Sequence, residues 1–334
     1  MSNNSHTRYF PLAQHCRCAA AAALLALLPA LAQAQTWPAR PIRYVVPFPP
    51  GGGTDVSARA VTAALSAELG QQVIVENRAG AGGMIGVEAV AKSPPDGYAM
   101  VQLTVAQVCI TPHLTRKLTF DPAKELAPVT LTGDIFNVLV VHPQLPARSV
   151  KELIALARSR PGELNFGSSG VGVPDHLAGE LFMNLTKTKL VHVPFKGGPL
   201  AMVDLMSGNV QMMFSTVASA IGTVRAGRLR ALAVTNSKRF SVLPDLPTVA
   251  EAGLPGFVVD NWTGVMVPAK TPTPIISRLN ATLTKAFTTQ QTRNLLIDSG
   301  ISVVTNTPAQ FADFIQSESA KWRKVVQDAK VVVD

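Results

Sequence analysis

The sequence predicts an α/β fold built as two lobes joined by two crossings, with a cleft between them. Three observations predict it. Short β-branched apolar runs alternate with helical stretches, the pattern of sheets with helical crossovers. A strand followed by a Gly-rich turn that opens a helix occurs twice, at 48–55 and again at 166–175. The chain after residue 267 carries several helices but few strands, too few for a sheet of its own, so it is expected to return to the first lobe.

The elements follow in order. A strand is expected at 42–46, broken by Pro47-Phe48-Pro49-Pro50-Gly51-Gly52-Gly53-Thr54. A helix at 55–69 places Val56, Ala60, Ala64 and Leu65 on one face and stops at Gly70. Strands at 73–75 and 99–103 flank a second Gly-rich turn at 80–86, a short helix through Ala91 and a tight Pro94-Pro95-Asp96-Gly97 turn. The second block opens with a strand at 138–141. Ser149-Val-Lys-Glu152 is a capping box for a helix that ends at Pro161-Gly162. A strand at 164–166 leads into Gly167-Ser168-Ser169-Gly170-Val171-Gly172 and a helix to residue 185. Further strands are expected at 190–193, 210–214 and 229–234. Residues 241–256 read as loop, and 265–267 as a strand. Helices are expected at 274–287 and 292–299. A last one, after Thr307-Pro308, carries Phe311, Phe314, Ile315 and Trp322. The expected boundaries are 35–137 plus 261–334 for lobe 1 and 138–260 for lobe 2.

The N-terminus reads as an export signal. The run Ala19–Leu28 is apolar but shorter than the roughly 20 residues that span a bilayer. Arg8 and Arg17 precede it, no acidic residue occurs before Asp55, and Ala32-Gln33-Ala34 is a small-x-small cleavage pattern. Residues 1–34 are therefore expected to be removed after Ala34, leaving a periplasmic protein with no stable membrane insertion. Cys16 and Cys18 leave with them, so Cys109 alone remains and neither a disulfide nor a Cys-based metal site is available.

Of the 334 residues, 47% are apolar and 15% charged, which supports real cores and argues against disorder. The formal charge is +9, lowered by two when Arg8 and Arg17 leave, so the chain stays basic and favours anions. Nucleic acid is not the expected partner. The basic clusters around Arg225–Arg230 and Lys238-Arg239 are short, lack interleaved aromatics and belong to no recognisable nucleic-acid motif.

A Gly-rich turn opening a helix aims several backbone N–H groups one way, and the helix dipole adds positive charge there. Two such turns facing across a cleft would hold an anion without a cationic side chain. The candidate residues are Phe48, Pro50, Gly51, Gly52, Gly53, Thr54 and Asp55 on the first turn. Ser168, Ser169, Gly170, Gly172 and His176 stand on the second, with Thr104 and Lys196 beside them. Asp55 is expected to hydrogen-bond the turn or cap its helix rather than act as a base. His176 can reach a ligand or pack, whereas His142 and His192 flank strands and read as structural. Lys196-Gly197-Gly198 can form the cleft rim.

Other chemistries lack their motifs. Gly51–Asp55 has no Gly-Lys-Ser/Thr ending, and Ile85 stands where a dinucleotide fingerprint needs its third glycine. Gly167-Ser168-Ser169-Gly170 is not G-x-S-x-G. The histidines show no metal-ligand spacing, so neither a catalytic constellation, nor a metal, nor a cofactor is expected.

Taken together, these motifs resemble one family. Trp37-Pro-Ala-Arg-Pro41, Val46-Pro-Phe-Pro-Pro-Gly-Gly-Gly-Thr-Asp55, Val75-Glu-Asn-Arg78 with Gly80-Ala-Gly-Gly83, and Pro95-Asp-Gly-Tyr98 are similar to the Bug-type receptors. Those are the extracytoplasmic solute-binding proteins of tripartite tricarboxylate transporters. The likeness continues through Gly167-Ser-Ser-Gly170 with His176-Leu-Ala-Gly-Glu180, Val193-Pro-Phe-Lys-Gly197 and Leu243–Gly253. The resemblance implies a two-lobed periplasmic binding fold, type II-like, that closes on a small carboxylate: a di- or tricarboxylate, an amino acid or an aromatic acid. It implies a monomer that meets membrane transporter subunits transiently. It places one carboxylate between the turns at 49–55 and 168–172. Val173-Pro174-Asp175 departs from the small polar residues expected there, and Asp175 would repel an anion unless turned away. The competing readings are an extracytoplasmic sensor docking to a signalling protein and, disfavoured, a secreted enzyme on the same scaffold.

Overall fold

A computed structural model describes residues 37–114 and 118–329. The expected signal segment 1–34 and its cleavage site lie outside the described residues.

From Arg40 onward two sheets organise the chain. The first has six strands: β1 (Ile42–Val46), β2 (Val73–Asn77), β3 (Ala99–Thr104), β4 (Leu126–Ile135), β10 (Asn261–Pro268) and β11 (Ile301–Ser302). Their spatial order is β11-β4-β10-β3-β1-β2. β1 runs parallel to β2 and β3, while β10 pairs antiparallel with β3 and β4. The second sheet holds β5 (Asn137–Val141), β6 (Asn165–Ser168), β7 (Val191–Pro194), β8 (Met212–Thr216) and β9 (Arg230–Val234), in the order β7-β6-β8-β5-β9. The chain crosses between sheets at Phe136, from β4 to β5, and again just before Asn261. The two crossings are neighbours, because Asn261 Nδ2 donates to Asn137 Oδ1 at 3.4 Å.

The returning C-terminal segment completes the first sheet, as its strand-poor sequence implies. All eight residues of β10 are buried, so it reads as a continuous run with no polar face. The last helix, Pro308–Ala329, lies against it through Phe311, whose ring sits where a Cβ on Gly264 would be. The Trp262 ring meets Phe311 edge-on at 5.7 Å. The indoles of Trp262 and Trp322 both donate to Glu318 Oε2, at 3.1 and 3.2 Å, which satisfies a buried carboxylate.

Three expectations need correction. The first helix starts at Gly53, and its buried stripe is Ala58, Val61, Leu65 and Leu69; Ala64 is exposed and Val56 and Ala60 only half-buried. An alanine-rich helix has weak amphipathic contrast, so periodicity misjudged its rotation. The ten-residue β4 was not expected. Its apolar and threonine residues alternate irregularly, and β-bulges shift its register against β10. The β10 strand itself extends well beyond the expected 265–267.

Candidate ligand-binding site

The first Gly-rich turn leaves β1 and enters the helix Gly53–Leu69, called α1. Its N-cap is Gly52, with no side-chain cap bond. Of the two roles expected of Asp55, capping the helix and bonding the turn, it takes the second. Its buried carboxylate accepts the Gly51 N–H at 3.0 Å, the Asn77 amide at 2.8 Å and the Arg59 guanidinium at 3.0 Å. Burial pushes the Asp55 carboxyl up, but Arg59, the Gly51 N–H and Asn77 outweigh it and leave it below the usual range. Gly51 adopts φ +86°, a conformation that strains any side-chain-bearing residue. Gly53 and Thr54, in the first turn, have N–H groups without an intrahelical acceptor.

The second turn joins β6 to the helix Pro174–Thr186, α2 here. Its N–H groups were expected to hold a ligand, yet three of them bond inside the turn. Ser169 N–H donates to Asp175 Oδ2 at 2.7 Å, Gly170 N–H to Ser168 Oγ at 3.3 Å and Gly172 N–H to His176 Nδ1 at 3.1 Å. His176 is thus a structural ring. It stacks on His192 at 4.0 Å between centroids, and His192 Nε2 lies 2.6 Å from Ser168 Oγ. Burial lowers His192 to about 4, so its ring is neutral at ordinary pH. Burial raises the Asp175 carboxyl despite the opposing bonds from Ser169.

A cavity of about 50 Å³ opens between the lobes. Phe48, Gly52, Gly53, Thr54, Thr104 and Ser169, six of the expected residues, line it. A second cavity of about 500 Å³ takes Phe48, Ser169, Gly170 and Lys196. Pro50, Gly51, Asp55, Ser168, Gly172 and His176 line neither; they shape the turns behind the walls.

Beyond Lys196-Gly197-Gly198, which the sequence places at the cleft rim, sequence reasoning missed the rest of the wall. The helix α3 (Gly198–Ser207) opens on the smaller cavity with Gly198 and Pro199, after a Gly197 at φ +128°. The helix α4 (Val217–Arg225) opens there with its N-cap Thr216, whose hydroxyl accepts the Ser219 N–H at 3.4 Å. Strand, glycine turn and helix start recur at 191–198, a signal legible in Lys196-Gly197-Gly198. Asn137 and Asn261, beside the crossings, carried no local signal. Asn261 Oδ1 is buried with no partner among the described residues.

Four helices therefore open onto one small cavity: α1, α2, α3 and α4. No Lys or Arg lines it, and Asp175 is its sole acidic residue. Each helix start contributes partial positive charge. The arrangement favours an anion held by backbone and hydroxyl donors. The lobes touch around it, since Gly197 leaves room for Pro49 where a Cβ would come within 2.5 Å of that ring. Among the described residues no group of three His, Cys, Asp or Glu side chains could hold a metal, and no helix is long and apolar enough to cross a membrane.

Known proteins share this architecture. Residues 57–331 match the family described as "Tripartite tricarboxylate transporter family receptor". Protein BugT of Bordetella pertussis is 40% identical over 296 residues, covering 88% of this chain and 91% of its own. The structure of periplasmic binding protein BugD superposes with a TM-score of 0.85 at 30% identity, covering 89% of this chain and 99% of BugD. R. palustris Rpa4515, solved with adipate, gives a TM-score of 0.85 at 36% identity, with 89% and 99% coverage. The two sheets, the double crossing and the cleft are the two-lobed fold of these binding proteins, and the chain belongs to the family of tripartite tricarboxylate transporter receptors.

Proposed function

We propose that this chain is a periplasmic receptor that captures a small carboxylate between its lobes and hands it to the membrane subunits of a tripartite tricarboxylate transporter. The observation that carries the reading is the convergence of four helix N-termini on a cavity without a cationic side chain. Donors held by the fold need no reorganisation when the anion arrives, and each terminus adds about 0.3–1 kcal/mol of attraction. The adipate in Rpa4515 supports a carboxylate as the ligand class.

In this reading lobe 1 comprises 35–137 and 261–334, and lobe 2 comprises 138–260. The two sheets support the division, although β5 already begins at Asn137. One carboxylate sits against Gly53 and Thr54 of lobe 1 and the α3 and α4 starts of lobe 2. The solute leaves chemically unchanged, and the receptor acts as a monomer.

Thermal unfolding of residues 35–334, refolded from denaturant, tests this against a panel of organic acids and their amides. A ligand of the native state alone adds about 2.7 kcal/mol at a hundredfold excess over Kd. One or more acids raise the midpoint while the matching amides leave it in place. Equal shifts with acid and amide would remove the anion reading.

A further inference from the structure

Thr104 ends β3 at the wall of the smaller cavity, and the chain then enters a π-helical turn, Ala106–Ile110, whose five residues are all buried. Such turns are rare and recur at functional sites. This one places Gln107, which is fully buried and uses its amide at both ends. Gln107 Oε1 accepts the Thr104 N–H at 2.9 Å and the Thr104 hydroxyl at 3.1 Å. Gln107 Nε2 donates to the Gly82 carbonyl at 2.7 Å. One side chain thus joins the wall of the proposed anion seat to the Gly-rich turn at 80–83.

That turn is shaped to meet both Gln107 and lobe 2. Gly80, Ala81, Gly82 and Gly83 all have positive φ, from +48° to +131°, a region unfavourable for Ala81, which carries a Cβ. Strained backbone of this kind holds only where its surroundings fix it. A Cβ on Gly83 would fall 2.8 Å from Gln107 Nε2, so glycine there admits the amide. On its other side the turn meets lobe 2. A Cβ on Gly82 would lie 2.9 Å from the Val171 carbonyl oxygen, and one on Gly170 would lie 3.5 Å from the Gly82 Cα. The contacts therefore run Thr104, Gln107, Gly82, Val171, from the seat to the surface where lobe 1 touches lobe 2.

Resting on the receptor function proposed above, we infer that Gln107 is a positioning residue that couples the anion seat to closure of the lobes. It fixes the Thr104 N–H and hydroxyl at the cavity wall and holds the 80–83 turn in the register on which lobe 2 docks. An anion at the seat and lobe 2 at the turn then favour the same placement of one buried amide. Coupling of this kind is reciprocal: a solute that favours closure is itself held more tightly by it. Gln107 lines neither cavity, so its loss acts on binding through Thr104 and the turn.

Calorimetric titration and small-angle X-ray scattering of the refolded chain test it. The probe is adipate or, if adipate does not bind, the panel acid that most raises the unfolding midpoint. The wild type should contract on saturation. Gln107→Glu keeps both acceptor bonds to Thr104 but, ionised, cannot donate to Gly82. At about pH 8 it should bind about tenfold more weakly than the wild type and lose the contraction. Protonation of the buried carboxyl restores a donor, so near about pH 5 the deficit should shrink to about twofold. Gln107→Leu can make none of these bonds and should show the deficit at both pH values. Gly82→Ala leaves Gln107 in place, sets a methyl against the Val171 carbonyl and should also lose the contraction, which keeps the test open if Gln107→Leu fails to fold. Weaker binding with the contraction intact would make Gln107 a support of the seat alone and overturn the inference. Wild-type affinity in both Gln107 variants, or a wild type that binds without contracting, overturns it too. If no acid binds the wild type, the receptor reading falls and the inference with it.

Discussion

Ser169 donates twice to Asp175, its N–H to Oδ2 at 2.7 Å and its hydroxyl to Oδ1 at 3.0 Å, so the second turn closes on a buried carboxylate at the wall of the ligand cavity. Burial raises that carboxyl above its usual range, with the Ser169 bonds opposing. A carboxylate entering the cavity adds a negative charge and raises it further, so binding takes up protons. Affinity should therefore rise as pH falls toward the raised range of that carboxyl, and Asp175→Asn should flatten the slope. Kd measured across that range checks it; identical slopes in both proteins would assign the proton elsewhere.

Asp55 does for the first turn what Asp175 does for the second, with the opposite electrostatic balance. Its carboxyl lies below the usual range because Arg59, Gly51 and Asn77 together outweigh burial. A depressed carboxyl contributes stability above its unfolded value, lost as pH falls through the folded one. Asp55→Ala leaves Asn77 and the Gly51 N–H without this acceptor and should cost about 1–3 kcal/mol. Chemical denaturation reads the loss. A variant as stable as the wild type would show that the turn holds without it.

Gly52 has extended backbone, φ −79° and ψ 163°, and a Cβ there would meet only the Pro49 carbonyl oxygen, at 3.8 Å. The backbone therefore tolerates Gly52→Val, while the added methyls enter a cavity of about 50 Å³. The unfolding midpoint should stay near wild type and affinity should drop at least about 100-fold, ~2.7 kcal/mol. Wild-type affinity in the folded variant would move the seat away from this turn.

The neutral His192 ring makes the second turn sensitive to acid. Its ordinary value is 6.5 and burial lowers it to about 4 in the fold, helped by His176 and opposed by Glu180. The unfolded chain thus binds a proton that the native ring does not, and stability falls as pH drops from about 6.5 to about 4. Discounted for solvent screening of a half-buried ring, the loss is roughly 2 kcal/mol. His192→Gln should be less stable at neutral pH but lose less on acidification. Urea midpoints at several pH values decide it, and equal acid losses in the two proteins would exonerate His192.

Cys109 is buried and its thiol lies 3.6 Å from the Ile315 carbonyl. Burial raises the thiol far above its ordinary value, so almost no thiolate forms near neutrality. A thiol reagent should label it at the rate of unfolding. Labelling that is fast beside unfolding would mean the last helix opens locally.

Much of this was legible where backbone chemistry leaves a mark in residue type. Val46–Asp55 announces strand, turn and helix start through its prolines and three glycines, and the structure places its turn at the cleft. Phe311 and Trp322 on the last helix were readable as the face that returns to the first sheet. What sequence could not show was how donors are shared. Ser169 and Gly172 look available in the chain, but Asp175 and His176, six and four residues later, accept their N–H groups. Asn137 and Asn261 are neighbours through the two crossings, a relation with no local periodicity to betray it. Thr216 and Ser219 carry no motif that marks them as cleft residues, and only the fold brings that helix start against α1.

A crystal structure of the chain soaked or grown with the acid that most raises its unfolding midpoint tests the account most directly. The predicted result is a carboxylate between the lobes, within about 2.7–3.1 Å of the Gly53 and Thr54 N–H groups. A carboxylate seated outside that cavity, on surface lysines or arginines, would contradict it.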